Sequence, residues 1–298
     1  MTRIRTLVLR TLADIVHDWL LWGVSDQPLD ASAFAPLSGG LTNQNYRLTV
    51  AGGTYVLRIA AENGHALGLD RMVEYQVHQH MARAGLVPAV LYHDPQERYW
   101  LRHYQVGEHL SPSSVDHLTL CALAQVFQRV HAQPVLPDLP RLRVIDKAAQ
   151  YWAMIQARVA QCGSVEDMRV WQALASQCQQ QIQRMLLPST PLVICHLDPI
   201  ADNWLHTEQG WQLLDWEYAA AAHPLLDLAS LSLYLNLSSD QQQTLCHAYG
   251  VDDSANWCKA QSTMRYLHHL WYGAQGLWTL AHTKQSLLHW LQRPQQPV

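Results

Sequence analysis

The 298-residue chain is long enough for one large domain or two lobes, and its 49% hydrophobic content suffices for a true core. A net charge of −4 excludes the strong basic field that nucleic acid or an anionic membrane surface would call for. The six cysteines form no CxxC pair and no metal-ligand spacing, which fits reduced thiols in the cytoplasm better than a disulfide framework.

In chain order, MTRIRTLVLRTLADIVHDWLLW superficially resembles a signal peptide, but Arg10, Asp14, His17 and Asp18 interrupt its apolar run. Leu12, Ile15, Val16, Trp19 and Leu20 instead predict one face of an amphipathic helix. No apolar run approaches the length of a membrane span. Strands are predicted over 34–37, 46–50 and 55–60, the last two joined by a tight Gly52-Gly53 turn. A helix over 66–84, ended by Gly85, precedes strands at 89–92 and 99–104. From about residue 115 the pattern turns helical, over 117–132, 144–162, 165–186, 225–235, 239–249 and 257–292. Within that region only 192–195, 204–206 and 211–214 read as strands, with Gly210 turning the last two. The 17 histidines supply no zinc site, because His78 and His80, two apart on a helix, diverge by about 200°. The expected architecture is α+β with two lobes: a β-rich N-terminal lobe over 1–104 and a larger, mostly helical lobe over 105–298.

The chemistry concentrates in CHLDPIADNWL, residues 195–205, and LLDWEYA, residues 213–219. Asp198 lies two residues after His196, Asn203 five after Asp198, and Asp215 twelve after Asn203. Asn203 opens one short strand and Asp215 closes its partner across the Gly210 turn, so an amide oxygen and a carboxylate share one end of a hairpin. Hard oxygen donors so arranged suit Mg²⁺, which keeps other positions for water and phosphate. Asp198 is then free to accept a proton from a substrate hydroxyl, and the set matches the needs of phosphoryl transfer.

HLDPIADN and LLDWEYA resemble the catalytic loop and metal-binding segment of the aminoglycoside phosphotransferase/choline kinase superfamily, which has the protein-kinase-like fold. The wording DWEYA and the downstream HPLLDLASL are most similar to the choline kinase and bacterial thiamine kinase branches. The resemblance runs from about residue 34 to about 290. It implies Asp198 as catalytic base, Asn203 and Asp215 as Mg²⁺ ligands, His196 as a residue fixing the loop, and Asp227 as a structural brace. It also implies ATP as phosphoryl donor. LSGGLTNQNYRL would then cover the phosphates, with Gly39 and Gly40 admitting close approach and Ser38, Thr42 and Asn43 donating hydrogen bonds, although a plain hairpin has the same pattern. Arg58 in YVLRI stands where most kinases carry Lys, with Glu74 of LDRMVEYQ as partner; Arg occurs there in the choline and thiamine kinase branches.

Glu217, two residues after Asp215, could assist a metal, face a cationic substrate, or be a generic loop carboxylate. Trp271 and Trp278, seven apart, fall on one face of the predicted 257–292 helix with Tyr272 nearby. Such a wall suits a quaternary ammonium or thiazolium ring, although a Trp stripe can equally be core. The expected function is a cytoplasmic Mg²⁺- and ATP-dependent kinase of a small cationic metabolite, thiamine or choline/ethanolamine, with neither nucleic acid nor membrane as partner. The alternatives are an aminoglycoside, ketosamine or homoserine kinase, or a non-catalytic nucleotide-binding protein on the same fold.

Overall fold

A computed structural model describes residues 11–37, 43–60, 68–189 and 191–292, except for the side chain of Cys162. Ser38, Gly39, Gly40 and Thr42 lie outside the described residues. The chain divides into two compact units: Met1–Ser111 with Ala201–Ala219, and Pro112–Ile200 with Ala220–Val298.

In the first unit, α1 (Leu12–Ile15) and α2 (Trp19–Trp22) are separated by a 3-10 turn over Val16–Asp18. The expected continuous helix is therefore broken, and Leu20 is 71% exposed rather than on the buried face, while Ile15, Val16 and Trp22 enter the core. The turn brings Asp18 within hydrogen-bond reach of Arg98 Nη2 (2.9 Å) and the Tyr99 hydroxyl (2.8 Å). An antiparallel sheet follows, from β1 (Phe34–Leu37), β2 (Asn43–Val50), β3 (Gly53–Ala60), β4 (Val90–His93) and β5 (Tyr99–His103), in the order β1-β2-β3-β5-β4. Alternation along β3 sends Tyr55, Leu57 and Ile59 into a core with Trp22, Phe34 and Leu101. Val56, Arg58 and Ala60 take the opposite face. Helix α3 (Arg71–Arg83) starts later than the predicted residue 66 because the Asp70 side chain caps it, accepting from the amides of Met72 and Val73. A small second sheet, β6 (Glu108–His109), β8 (Trp204–Thr207) and β9 (Gly210–Leu213), completes this unit. Residues 105–111 and 201–219 thus pack with the N-terminal strands.

The second unit contains α4 (His117–His131), α5 (Val144–Cys162), α6 (Val165–Arg184), α7 (Leu225–Tyr234), α8 (Ser239–Tyr249), α9 (Ser254–Gln275) and α10 (Leu280–Gln292). A two-stranded pair, β7 (Val193–Cys195) and β10 (Ala220–Ala222), joins them. The sequence reading missed β6 and β10. The alanine run of β10 favours helix in isolation, and pairing with β7 overrides that preference. The predicted 257–292 helix divides at Gly276, which adopts φ +76° and ends α9. Arg158 of α5 donates to the Gly273 carbonyl at this turn. A Cβ at Gly273 would lie 2.5 Å from Thr283 Cγ2, so glycine lets α10 pack directly against α9.

Candidate active site

In the first unit, Arg58 lies on the central strand β3, only 7% exposed, with its guanidinium 4.8 Å from the Trp100 ring centroid. Its Nη2 is 2.5 Å from Glu74 Oε1, 2.8 Å from Asp215 Oδ1 and 3.6 Å from Glu217 Oε2. Arg71, at the first turn of α3, places Nη1 2.9 Å from both Glu74 Oε2 and Glu217 Oε2. Asn43 Nδ2 donates to Glu217 Oε2 at 2.8 Å. Two arginines therefore face three carboxylates, for a net charge of −1. Burial works against the Arg58 charge, but Asp215, Glu74 and Glu217 outweigh it and hold its pKa above the ordinary value. Burial raises the Glu74 pKa, and the charges of Asp215 and Glu217 add to it, against the pull of the two arginines.

Asn203 is buried in a 3-10 turn that leads into β8. The β8–β9 register pairs Trp204 with Leu213, and the Leu214 amide donates to the Asn203 carbonyl at 2.8 Å. Asn203 and Asp215 thereby flank the open end of one hairpin. Asp215 occupies the left-handed region at φ +66°, a strained conformation for a non-glycine residue, and the following Trp216 is fully buried, donating from Nε1 to the Leu213 carbonyl. The cluster fits a hard cation, since Glu74, Asp215 and Glu217 each present a carboxylate oxygen within 4.8 Å of the others. It also suits an anion, because among the described residues Arg58 Nε and Arg71 Nε and Nη2 are buried donors without a hydrogen-bond partner.

The segment His196–Ile200 belongs to the second unit. Fully buried Asp227 on α7 accepts from the His196 amide at 2.8 Å and the Leu197 amide at 2.7 Å. His131 Nε2 lies 3.1 Å from the same carboxylate, and its Nδ1 lies 2.7 Å from the Tyr249 hydroxyl. A carboxylate only accepts, so Nε2 carries a proton and donates to Asp227. Burial first, and then the Asp227 charge, push the Tyr249 pKa up, so its hydroxyl stays protonated beside Nδ1. His196 is buried, and its Nδ1 accepts from the Asp198 amide at 3.2 Å. Leu197 adopts φ +66°, and the Tyr234 hydroxyl donates to Asp198 Oδ1 at 2.9 Å. Cys195 is a buried strand end whose thiol pKa burial raises well above normal.

The break between α9 and α10 removes Trp271 and Trp278 from the single helix face expected of them; Trp278 sits in the turn. Tyr272 joins the two, 4.9 Å from the Trp271 ring and 5.1 Å from Trp278. His268 stacks on Tyr272 at 4.4 Å. Burial and then Arg265 lower the His268 pKa to about 4, so this ring cluster is neutral near pH 7. Trp271 also packs against the helical core.

A model of the phosphotransferase enzyme family matches residues 33–261. The chain belongs to this family. The resemblance carried by HLDPIADN and LLDWEYA is thereby borne out. This phosphotransferase family member is 26% identical to protein LicA of Haemophilus influenzae over 215 residues, 71% of this chain. That match spans 61% of LicA, under two thirds of its length. The structure of choline kinase LicA from Streptococcus pneumoniae superposes with a TM-score of 0.70 at 19% identity, covering 88% of this chain and 95% of that one. A choline/ethanolamine kinase family protein from Mesorhizobium loti gives 0.66 at 21% identity, covering 94% and 96%. Both likenesses agree with the kinase-like α+β fold expected from the sequence. No helix among the described residues is long and apolar enough to cross a membrane.

Four residues of this family member escaped the sequence reading. Arg71 stands three residues before Glu74 in the segment LDRMVEYQ, a spacing that could have signalled the pair. Tyr234 lies seven residues after Asp227 on the same helix, which placed it on the same face. His131 and Tyr249 left no sequence signal, because nothing local relates them to Asp227.

Proposed function

We propose that the chain is a cytoplasmic small-molecule kinase that passes the γ-phosphoryl group of ATP to the hydroxyl of a small cationic metabolite, choline/ethanolamine or thiamine. The observation that carries this reading is the Asp198 carboxylate. It stands on a loop whose backbone amides are fixed by buried Asp227, in a chain of the phosphotransferase enzyme family. In this reading Asp198 accepts the acceptor's hydroxyl proton as the new phosphate bond forms. Arg58, with its unpaired Nε, and Arg71 supply cationic donors for phosphate oxygens, together with the segment Ser38–Asn43. Asn203 and Asp215 would hold Mg²⁺, with Glu217 beside them; when bound, the ion offsets the charge of the phosphates and the leaving group.

The neutral rings of Tyr272, Trp278 and His268 support a cationic acceptor through cation–π attraction. The two solved structures, a choline kinase and a choline/ethanolamine kinase family protein, point the same way. Coupled ADP release with choline, ethanolamine, thiamine, homoserine and kanamycin tests the reading. Turnover is expected with choline, ethanolamine or thiamine. Turnover confined to kanamycin or homoserine would overturn the acceptor class, and ATP binding without transfer to any of them would point to a non-catalytic protein.

A further inference from the structure

One face of α7 grips the candidate catalytic loop residue by residue. Asp227, Ser230 and Tyr234, spaced by three and then four positions, share that face. Asp227 accepts from the His196 and Leu197 amides, Ser230 Oγ lies 3.4 Å from the Leu197 carbonyl, and the Tyr234 hydroxyl donates to Asp198 Oδ1 at 2.9 Å. The first two side chains fix backbone, whereas Tyr234 acts on the carboxylate itself. Backbone fixation still leaves the Asp198 side chain its own torsions, and a rigid phenol on a helix removes that freedom. The Tyr234 ring is itself backed by His268, 5.4 Å away, which stacks on Tyr272. A continuous run of rings thus links the Asp198 carboxylate to the aromatic cluster.

We infer that Tyr234 is a positioning residue for the phosphoryl-transfer step, orienting the Asp198 carboxylate toward the acceptor hydroxyl through its hydrogen bond. The inference rests on Asp198 being the proton acceptor. Tyr234→Phe removes only the hydroxyl and keeps the ring against His268, so folding should be preserved, as melting curves can check.

The test is a double-mutant cycle of Tyr234→Phe and Asp198→Ala in the full chain, measured with Mg-ATP and each of choline, ethanolamine and thiamine, and as ATP hydrolysis without acceptor. Tyr234→Phe is expected to lower kcat about 10-fold with the KM for ATP and for the acceptor that turns over within about twofold of wild type. In the Asp198→Ala background the same substitution should have no further effect. An unchanged kcat in Tyr234→Phe, an effect confined to KM, or equal effects in both backgrounds would overturn the role of Tyr234 alone. Near-wild-type turnover by Asp198→Ala, or a wild-type chain that neither transfers phosphate nor hydrolyses ATP, would overturn the underlying reading and the inference with it.

Discussion

The Arg58 guanidinium and the Asp215 carboxylate meet at 2.8 Å across 157 positions of sequence. One cation on the central strand β3 thereby neutralises a candidate metal ligand and, through the same Nη2, the Glu74 carboxylate of α3. Any ligand that draws Arg58 toward phosphate oxygens redistributes charge among all three carboxylates of the cluster. Nucleotide and divalent-cation binding should therefore depend on each other in this protein.

Asp215→Ala removes one oxygen donor and one partner of Arg58 while leaving Glu74 in place. Calorimetric titration with ATP is expected to show Mg²⁺-dependent tightening in the wild-type chain and none in the variant. Retention of the full Mg²⁺ effect would remove Asp215 from the proposed ligand set.

Glu74 is 2% exposed and contacts both arginines. Glu74→Ala removes an acceptor that both arginines use and leaves buried guanidinium N–H groups without it, a loss on the order of 1–3 kcal/mol. Urea denaturation should show a clearly lower midpoint, with Glu74→Gln intermediate because its amide oxygen still accepts from Arg58.

Acid sensitivity follows from His78. Its Nε2–H donates to the Pro88 carbonyl at 2.8 Å, and burial lowers its pKa to about 4 from an ordinary value of 6.5. The unfolded chain binds a proton below pH 6.5 that the folded state refuses. This contribution to stability is therefore complete above pH 6.5 and is lost as pH falls toward 4. By pH 5 the loss is about 2 kcal/mol, measurable as a shift in denaturation midpoint relative to pH 7.5. His78→Gln, which keeps an N–H for Pro88, should lose that component of the pH dependence. His268, with a pKa also near 4, should contribute in the same direction.

Tyr272 lies at the centre of the aromatic cluster, stacked on His268 and 5.1 Å from Trp278. Tyr272→Ala is expected to raise the KM for choline about 10-fold while leaving the KM for ATP unchanged, since a desolvated cation–π contact contributes roughly 1–2 kcal/mol. An equal loss for a neutral hydroxyl acceptor would show that the ring shapes the site without recognising charge.

Where the sequence was legible, the relevant geometry was local. The Gly210 turn and the β8–β9 register depend on a few neighbouring residues, so Asn203 and Asp215 could be assigned to one hairpin end from spacing alone. The break at Gly276 was harder to read, because the apolar pattern of α9 and α10 continues through it. There the glycine conformation and the Arg158 contact decide where the helix stops.

By itself, the sequence determined most of the elements, the family resemblance and the polar loop from His196 to Asn203, because periodicity, turn chemistry and spacing are written in neighbouring residues. Only the tertiary structure decided that Arg71 shares Glu74 and Glu217 with Arg58, that His131 and Tyr249 support Asp227, and that Tyr234 holds Asp198. Those contacts join residues up to about 160 positions apart, and burial within each unit, rather than any local pattern, brings the partners together.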